Sequence, residues 1–225
     1  MEQYLTAIRS SWVDLCRLQM EREGHHYEFS STILYYHSWI NLSILFQMKI
    51  GITQRQILIN DIPYDCSEQG WFRLFRQHEI IIIPNLVNLD LDIDMLVFSG
   101  GDTTEDRHLT ELHCYQYALD TGIPVLGVCH GAFLLNLLYG GTNSTTQDHH
   151  NTNHIINMNG DKYTVNSYHR MCISNLGEAL VPLAWAGNSV EAFRHLTRPH
   201  WGIVWHPERM DDPVLPKDLE KLIHG

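Results

Sequence analysis

From Lys49 to Trp205 the chain is built from short, wholly apolar runs separated by longer stretches of helical spacing. Ile80-Ile81-Ile82-Ile83, Val97-Phe98, Ile123-Pro124-Val125-Leu126 and Trp201-Gly202-Ile203-Val204-Trp205 lack the alternation of a half-exposed strand. A strand apolar on both faces must be buried on both faces, as in a parallel sheet covered by helices. The intervening stretches supply those helices. One spans 67–77, with Ser67 as N-cap and Trp71, Leu74 and Phe75 as its stripe; another spans 107–121, with Leu109, Leu112, Tyr115 and Leu119 inward; a third spans 132–139. Strands alternating with helices make βαβ units with right-handed crossovers. Such sheets bind their ligands at the carboxyl ends of the strands.

After Gly140-Gly141 the pattern changes. A polar stretch, 144–153, reads as a loop carrying His149, His150 and, just beyond it, His154. Two hairpins follow, one turning at Asn159-Gly160 and one at Gly187-Asn188. The expected fold is therefore α/β: a mostly parallel central sheet flanked by helices, with an antiparallel extension in the C-terminal half.

Residues 1–47 differ from the rest. Leu5, Ile8, Trp12, Leu15 and Leu18 give 4–23 a helical period, and the aromatic stretch Tyr35-Tyr36-His37-Ser38-Trp39 has none. Met48-Lys49-Ile50 looks like the opening of an α/β domain. Residues 1–47 thus read as an upstream extension ahead of a natural start at Met48, with 48–225 as the domain. The other reading is a helical cap or oligomerisation segment.

Charge and cysteine usage narrow the function classes. A net charge of −11 with no basic run argues against nucleic acid or an anionic membrane as partner. No apolar run approaches the ~20 residues of a membrane helix, and no secretory signal opens the chain. The five cysteines are odd in number, scattered and without a C-x-x-C pair, so no disulfide framework or zinc knuckle is indicated. A reducing, cytoplasmic setting fits.

The chemistry gathers at two strand ends. Gly127-Val128-Cys129-His130-Gly131 lies between an apolar run and an amphipathic one, so it reads as strand, sharp turn, helix. In such an elbow the glycines remove Cβ clashes, and the exposed nucleophile meets a helix N-terminus, where a thiolate is favoured. Taken alone, the pentapeptide also fits a buried cysteine between turn glycines. The second end is His206-Pro207-Glu208. A residue before proline is extended, and residues i and i+2 of an extended segment share a side, so Glu208 reaches back to orient His206. Together the two stretches make a nucleophile, base and orienter: Cys129, His206 and Glu208.

This pairing resembles the class I glutamine amidotransferase-like superfamily, flavodoxin-like in fold, with its G-x-C-x-G and H-P-E signatures, over 48–225. The resemblance implies Cys129 as nucleophile, His206 as general base and then acid, and Glu208 as orienter. Phe98-Ser99-Gly100-Gly101-Asp102 matches the superfamily's oxyanion strand-end, which implies the Gly101 and His130 amides as donors. Val165-Asn166-Ser167-Tyr168-His169-Arg170 and Gly140-Gly141-Thr142 with Gln147-Asp148 resemble γ-glutamyl amide hydrolases of the peptidase C26 type. Lys49-Ile50-Gly51-Ile52-Thr53-Gln54-Arg55, with Tyr64-Asp65 and Trp71, is similar to the opening of γ-glutamyl-CDP-amidate hydrolases. Those remove glutamate from a nucleotide phosphoramidate used to decorate surface polysaccharides.

The resemblance implies a small γ-glutamyl substrate, no cofactor, and as partners either a homodimer mate or a synthetase chain fed with ammonia. Arg55 and Arg170 are the cations it sets nearest a carboxylate or phosphate, and His130 and His169 are pocket candidates. One departure stands out. Many glutamine-using members carry glutamine two residues after the second elbow glycine, and here that residue is Phe133. The His149, His150 and His154 stretch lacks nearby cysteines or an H-E-x-x-H spacing, so no metal is expected.

Overall fold

The structure, a computed structural model, describes residues 47–146 and 150–225, apart from the side chain of His150. The expected helix over 4–23, the aromatic stretch 35–39, and Gln147, Asp148 and His149 lie outside the described residues.

Five strands run parallel: β1 (Lys49–Thr53), β4 (Glu79–Ile83), β5 (Met95–Phe98), β6 (Val125–Val128) and β13 (His200–Ile203), in the order β4-β1-β5-β6-β13. Alternate side chains enter two cores, one on each face. Ile50, Ile52, Met95, Val97, Leu126 and Val128 meet Trp71, Leu74, Leu219 and Ile223 from α1 (Gln69–Leu74) and α4 (Lys217–His224). Leu96, Phe98 and Val125 meet Cys114 and Ala118 of α2 (Glu105–Thr121) and Ala132 to Leu135 of α3 (His130–Leu138). Each fully buried large aliphatic or aromatic side chain contributes ~1.5–3 kcal/mol. The two-sided burial read from the apolar runs is thus the observed architecture at the sheet centre. β4 is different: it is an edge strand, and Ile80 to Ile82 are only partly buried. An unbroken apolar run does not distinguish an edge from a centre.

The antiparallel extension continues from β13 through β12 (Ser189–His195), β11 (Leu180–Ala186), β8 (His150–Met158) and β9 (Asp161–Tyr168). Off that path, β10 (Met171–Asn175) pairs with β12 and with β7 (Thr142–Thr145). The expected hairpins form, turning at Asn159 and Gly160 (φ 57° and 90°) and at Gly187 (φ 58°). Of the loop read over 144–153, residues 144–145 and 150–153 are strand. β7 is polar and mostly exposed, so its side chains face outward and its pairing leaves no apolar signal.

A stretch with no expected element gains one, and two further expectations change. The stretch after β1 folds as a hairpin, β2 (Arg55–Ile59) with β3 (Ile62–Cys66), turning at Asn60 and Asp61, both left-handed (φ 53° and 63°). Helix α1 starts after Glu68, not Ser67, and no side chain caps it. Helix α2 is rotated: Leu109 and Leu112 are 46% and 36% exposed, while Arg107, Thr110, Glu111, Cys114 and Ala118 face the sheet. The buried Arg107 and Glu111 serve the strand ends described next. Among the described residues, no helix is long and apolar enough to cross a membrane.

Candidate active site

Cys129 stands between β6 and α3 with φ 52° and ψ −103°, a strained backbone for a non-glycine residue. The turn is forced by close packing. A Cβ on Gly127 would lie 2.4 Å from the Gly131 carbonyl oxygen, and one on Gly131 would lie 2.3 Å from that of Phe98. The Cys129 N–H donates to Ile203 O of β13 at 2.8 Å, tying the elbow to the neighbouring strand. β13 then delivers His206.

The His206 ring is buried and held on several sides. Its Nδ1 lies 2.7 Å from Glu208 Oε1, the Tyr168 ring meets it edge-on at 5.6 Å, and the Cys129 sulfur is near enough to act on its charge. Gly100 backs onto it: a Cβ there would lie 2.5 Å from His206 Cε1. Burial pushes the imidazole down, but the hydrogen bonds to Cys129 and Glu208 and their charges outweigh it, raising it to about 9. The segment is not extended as the sequence suggested. Pro207–Arg209 forms one 3-10 turn, which brings Glu208 back under His206 by curvature. Gly70 of α1 packs on that turn, where a Cβ would lie 2.0 Å from Glu208 O.

Two sets of partners were not foreseen. Asn166 of β9 grips the His206 backbone through both amide atoms: His206 N–H donates to Oδ1 at 2.8 Å, and Nδ2 donates to His206 O at 2.8 Å. On the other side Glu68 accepts from Arg209 Nε at 2.7 Å and from Arg55 Nη2 at 2.6 Å. Burial raises the Glu68 carboxyl, and the hydrogen bond and charge of Arg209, with the charge of Arg55, more than reverse this. The Arg209 guanidinium also sits 4.6 Å over the Tyr168 ring. Arg55, expected to meet an anion, is engaged with a carboxylate of its own chain. Beside His206 a groove of about 450 Å³ is lined by Asn166, Tyr168, Arg209 and Met210.

Gly100 and Gly101 follow β5, with Gly101 at φ 134°. The fully buried Arg107 lies beneath them, donating to the carbonyls of Ser99, Gly100 and Asp102 at 2.6, 3.2 and 3.3 Å. The His130 side chain turns toward Glu111, with Nε2 2.8 Å from Glu111 Oε2. His169 is buried, with Nδ1 donating to Met171 O at 2.6 Å and its ring 6.0 Å from that of Phe133. It also neighbours Glu191, as does His154. Arg170 is exposed at the end of the short β9–β10 link, its carbonyl accepting from Thr146 N–H.

The structure therefore brings Cys129, His206, Glu208 and Gly100 together at the carboxyl ends of β5, β6 and β13. A thiol beside a buried imidazole that is itself hydrogen-bonded to a carboxylate is what nucleophilic acyl transfer needs. Asn166 lay inside a stretch already singled out, and the i, i+4 spacing of Arg107 and Glu111 was readable as a helix pair. Nothing in the sequence joins Glu68 to Arg209.

Comparison with known proteins gives the family. The sequence model of the family "Glutamine amidotransferase class-I" matches residues 73–222. The chain is 31% identical to a gamma-glutamyl-CDP-amidate hydrolase of Campylobacter jejuni subsp. jejuni serotype O:2, over 72% of this chain and 90% of that one. It is 33% identical to a glutamine-hydrolysing GMP synthase subunit from Methanosarcina acetivorans, over 56% and 72% of the two chains. The crystal structure of a glutamine amidotransferase from Thermotoga maritima superposes with a TM-score of 0.57, over 72% of this chain and 77% of that one. At 14% identity that likeness shows the fold alone.

Proposed function

The chain belongs to the class I glutamine amidotransferase family, and from that premise we propose that it is a cysteine hydrolase of γ-glutamyl amides, of the peptidase C26 type. The thiolate of Cys129 attacks the γ-carbonyl, and the Gly101 and His130 amides hold the oxyanion. His206 protonates the leaving nitrogen, which departs and leaves a glutamyl thioester. His206 then takes a proton from water, whose attack releases glutamate and restores the thiol. No step calls for a metal or cofactor.

The observation that carries this reading is the buried His206–Glu208 pair, 2.7 Å apart, beside the strained Cys129 elbow. The likeness to the Campylobacter hydrolase over 90% of its length supports a nucleotide phosphoramidate, γ-glutamyl-CDP-amidate, as the substrate.

The likeness to the GMP synthase chain of Methanosarcina favours a second reading, a glutaminase subunit delivering ammonia to a separate synthetase chain. Phe133 weighs against a plain glutaminase, and against the γ-glutamyl-γ-aminobutyrate type of C26 hydrolase as well, which often carries glutamine there. The residue is buried against His169, where the family's glutamine-using members often carry a glutamine.

A hydrolysis panel separates the two. Glutamine, γ-glutamyl-γ-aminobutyrate and γ-glutamyl-CDP-amidate are offered to the isolated protein, and glutamate release is measured. The first reading expects the phosphoramidate to turn over fastest with no partner added. Release from glutamine alone, rising on addition of a synthetase, would overturn it.

A further inference from the structure

We propose that the buried Arg107–Glu111 pair is a positioning device that locks the two halves of the oxyanion hole to each other. The inference rests on the reading of the Gly101 and His130 amides as the oxyanion donors.

Those donors come from different elements. Gly101 belongs to the loop after β5, and His130 begins α3 after the elbow. A tetrahedral oxyanion gains from both donors only if their separation is fixed before the reaction. Glycine in an open loop cannot supply that rigidity itself.

Arg107 supplies it for the loop. All five of its N–H groups are used. Nη2 donates to Ser99 O at 2.6 Å and Ser99 Oγ at 3.3 Å. Nη1 donates to Gly100 O at 3.2 Å and Asp102 O at 3.3 Å, and Nε donates to Glu111 Oε1 at 2.8 Å. With the carbonyls of 99, 100 and 102 drawn to one planar fork, the peptide between Gly100 and Gly101 has its carbonyl aimed at Arg107. The Gly101 N–H of that trans peptide points the opposite way. The approach is close: a Cβ on Gly101 would lie 2.5 Å from Arg107 Nη1.

Glu111 supplies it for the elbow. Its second oxygen takes His130 Nε2 at 2.8 Å, and His130 Nδ1 lies 3.4 Å from Thr103 Oγ1 of the same loop. The residue after the nucleophile is thereby fastened to the loop that carries the other donor. A buried Arg–Glu pair on a helix is weak evidence of stability in itself, because desolvation offsets its attraction. Its placement here is better explained by the loop carbonyls it serves.

Two variants test this with γ-glutamyl p-nitroanilide as probe substrate. Arg107→Lys keeps a charge for Glu111 but cannot reach three carbonyls. His130→Phe keeps a ring and breaks the link to Glu111 at a partly exposed position. Each is expected to lower kcat about 10- to 100-fold, the range of a weakened oxyanion donor, with KM changed less than about threefold. Alkylation of Cys129 by iodoacetamide, a displacement with no oxyanion, should keep its rate and its pH profile.

Wild-type turnover in both variants would overturn the proposal. So would a fall in alkylation in step with kcat, or failure of both variants to fold. Cys129→Ala is the separate control: full activity there sinks the reading of the site, whereas a dead Cys129→Ala beside fully active Arg107→Lys and His130→Phe sinks the inference alone.

Discussion

Replacing Glu208 with glutamine keeps the volume of the side chain and removes its charge, so it isolates what the carboxylate does for His206. The two groups lie 2.7 Å apart and both are buried. Burial lowers the imidazole, while the hydrogen bonds and charges of Cys129 and Glu208 bring it up to about 9 from an ordinary 6.5. With each pKa unit worth ~1.4 kcal/mol, the fold favours the imidazolium by ~3 kcal/mol. A buried hydrogen bond to a charged group is worth about 1.5–3 kcal/mol, so the share of Glu208 is on the order of 2 kcal/mol.

A base whose pKa is raised by folding stabilises the native state fully below its unfolded value. That stabilisation disappears as pH rises through the folded value. The difference in unfolding free energy between wild type and Glu208→Gln should therefore be ~2 kcal/mol near pH 6 and shrink steadily as pH rises through about 9. Urea titrations of both proteins between about pH 5.5 and 10 measure it, and titrations common to the two cancel in the difference. A difference that stays constant across that range would refute the coupling and leave Glu208 as a neutral packing partner.

Cys129→Ala should abolish turnover and leave the fold intact, as read by circular dichroism. Cys129→Gly should unfold at higher temperature than Cys129→Ala, by ~1 kcal/mol in stability, because glycine relieves the strained φ of 52°. Gly131→Ala should destabilise by ~3 kcal/mol or more, since its Cβ would meet a backbone oxygen at 2.3 Å. Gly160→Ala, with open space around it and φ of 90°, should lose only ~1–2 kcal/mol, and chemical denaturation compares the two. Asn166→Ala removes both 2.8 Å bonds to the His206 backbone and should lower stability by ~1–3 kcal/mol and kcat with it, whereas a variant with unchanged kcat would show that the grip is not needed.

What could be read from the sequence follows the range over which each feature is determined. The parallel core was visible because burial on both faces demands an unbroken apolar run at each strand. The hairpin β2–β3 was not visible. Arg55-Gln56-Ile57-Leu58-Ile59 shows no alternation, and Ile57, Leu58, Ile59, Ile62 and Tyr64 remain exposed on a two-stranded ribbon. Its turn residues, Asn60 and Asp61, are nevertheless the kind that tolerate the left-handed conformation both adopt. The elbow and the His-Pro-Glu turn were visible for a different reason: their chemistry is set by residues within five positions of one another. Even there the local geometry differed, since a 3-10 turn rather than an extended segment returns Glu208 to His206.

The rest of the site is long-range, and that is why the phase of α2 was misread. A helix with leucines at 109 and 112 and charges at 107 and 111 ordinarily buries the leucines. Arg107 and Glu111 then look like an exposed i, i+4 pair worth a few tenths of a kcal/mol. What reverses the choice is the end of β5, where three backbone carbonyls converge and need donors. Left unpaired, each would cost roughly 1–3 kcal/mol, more than burying Leu109 and Leu112 part of the way would return. A cation carrying five N–H groups meets that demand from a single position, and Glu111 neutralises it while reaching His130. The rotation of the helix is therefore set by the strand end it serves, and its exposed leucines mark how far the needs of the site outweigh those of the core.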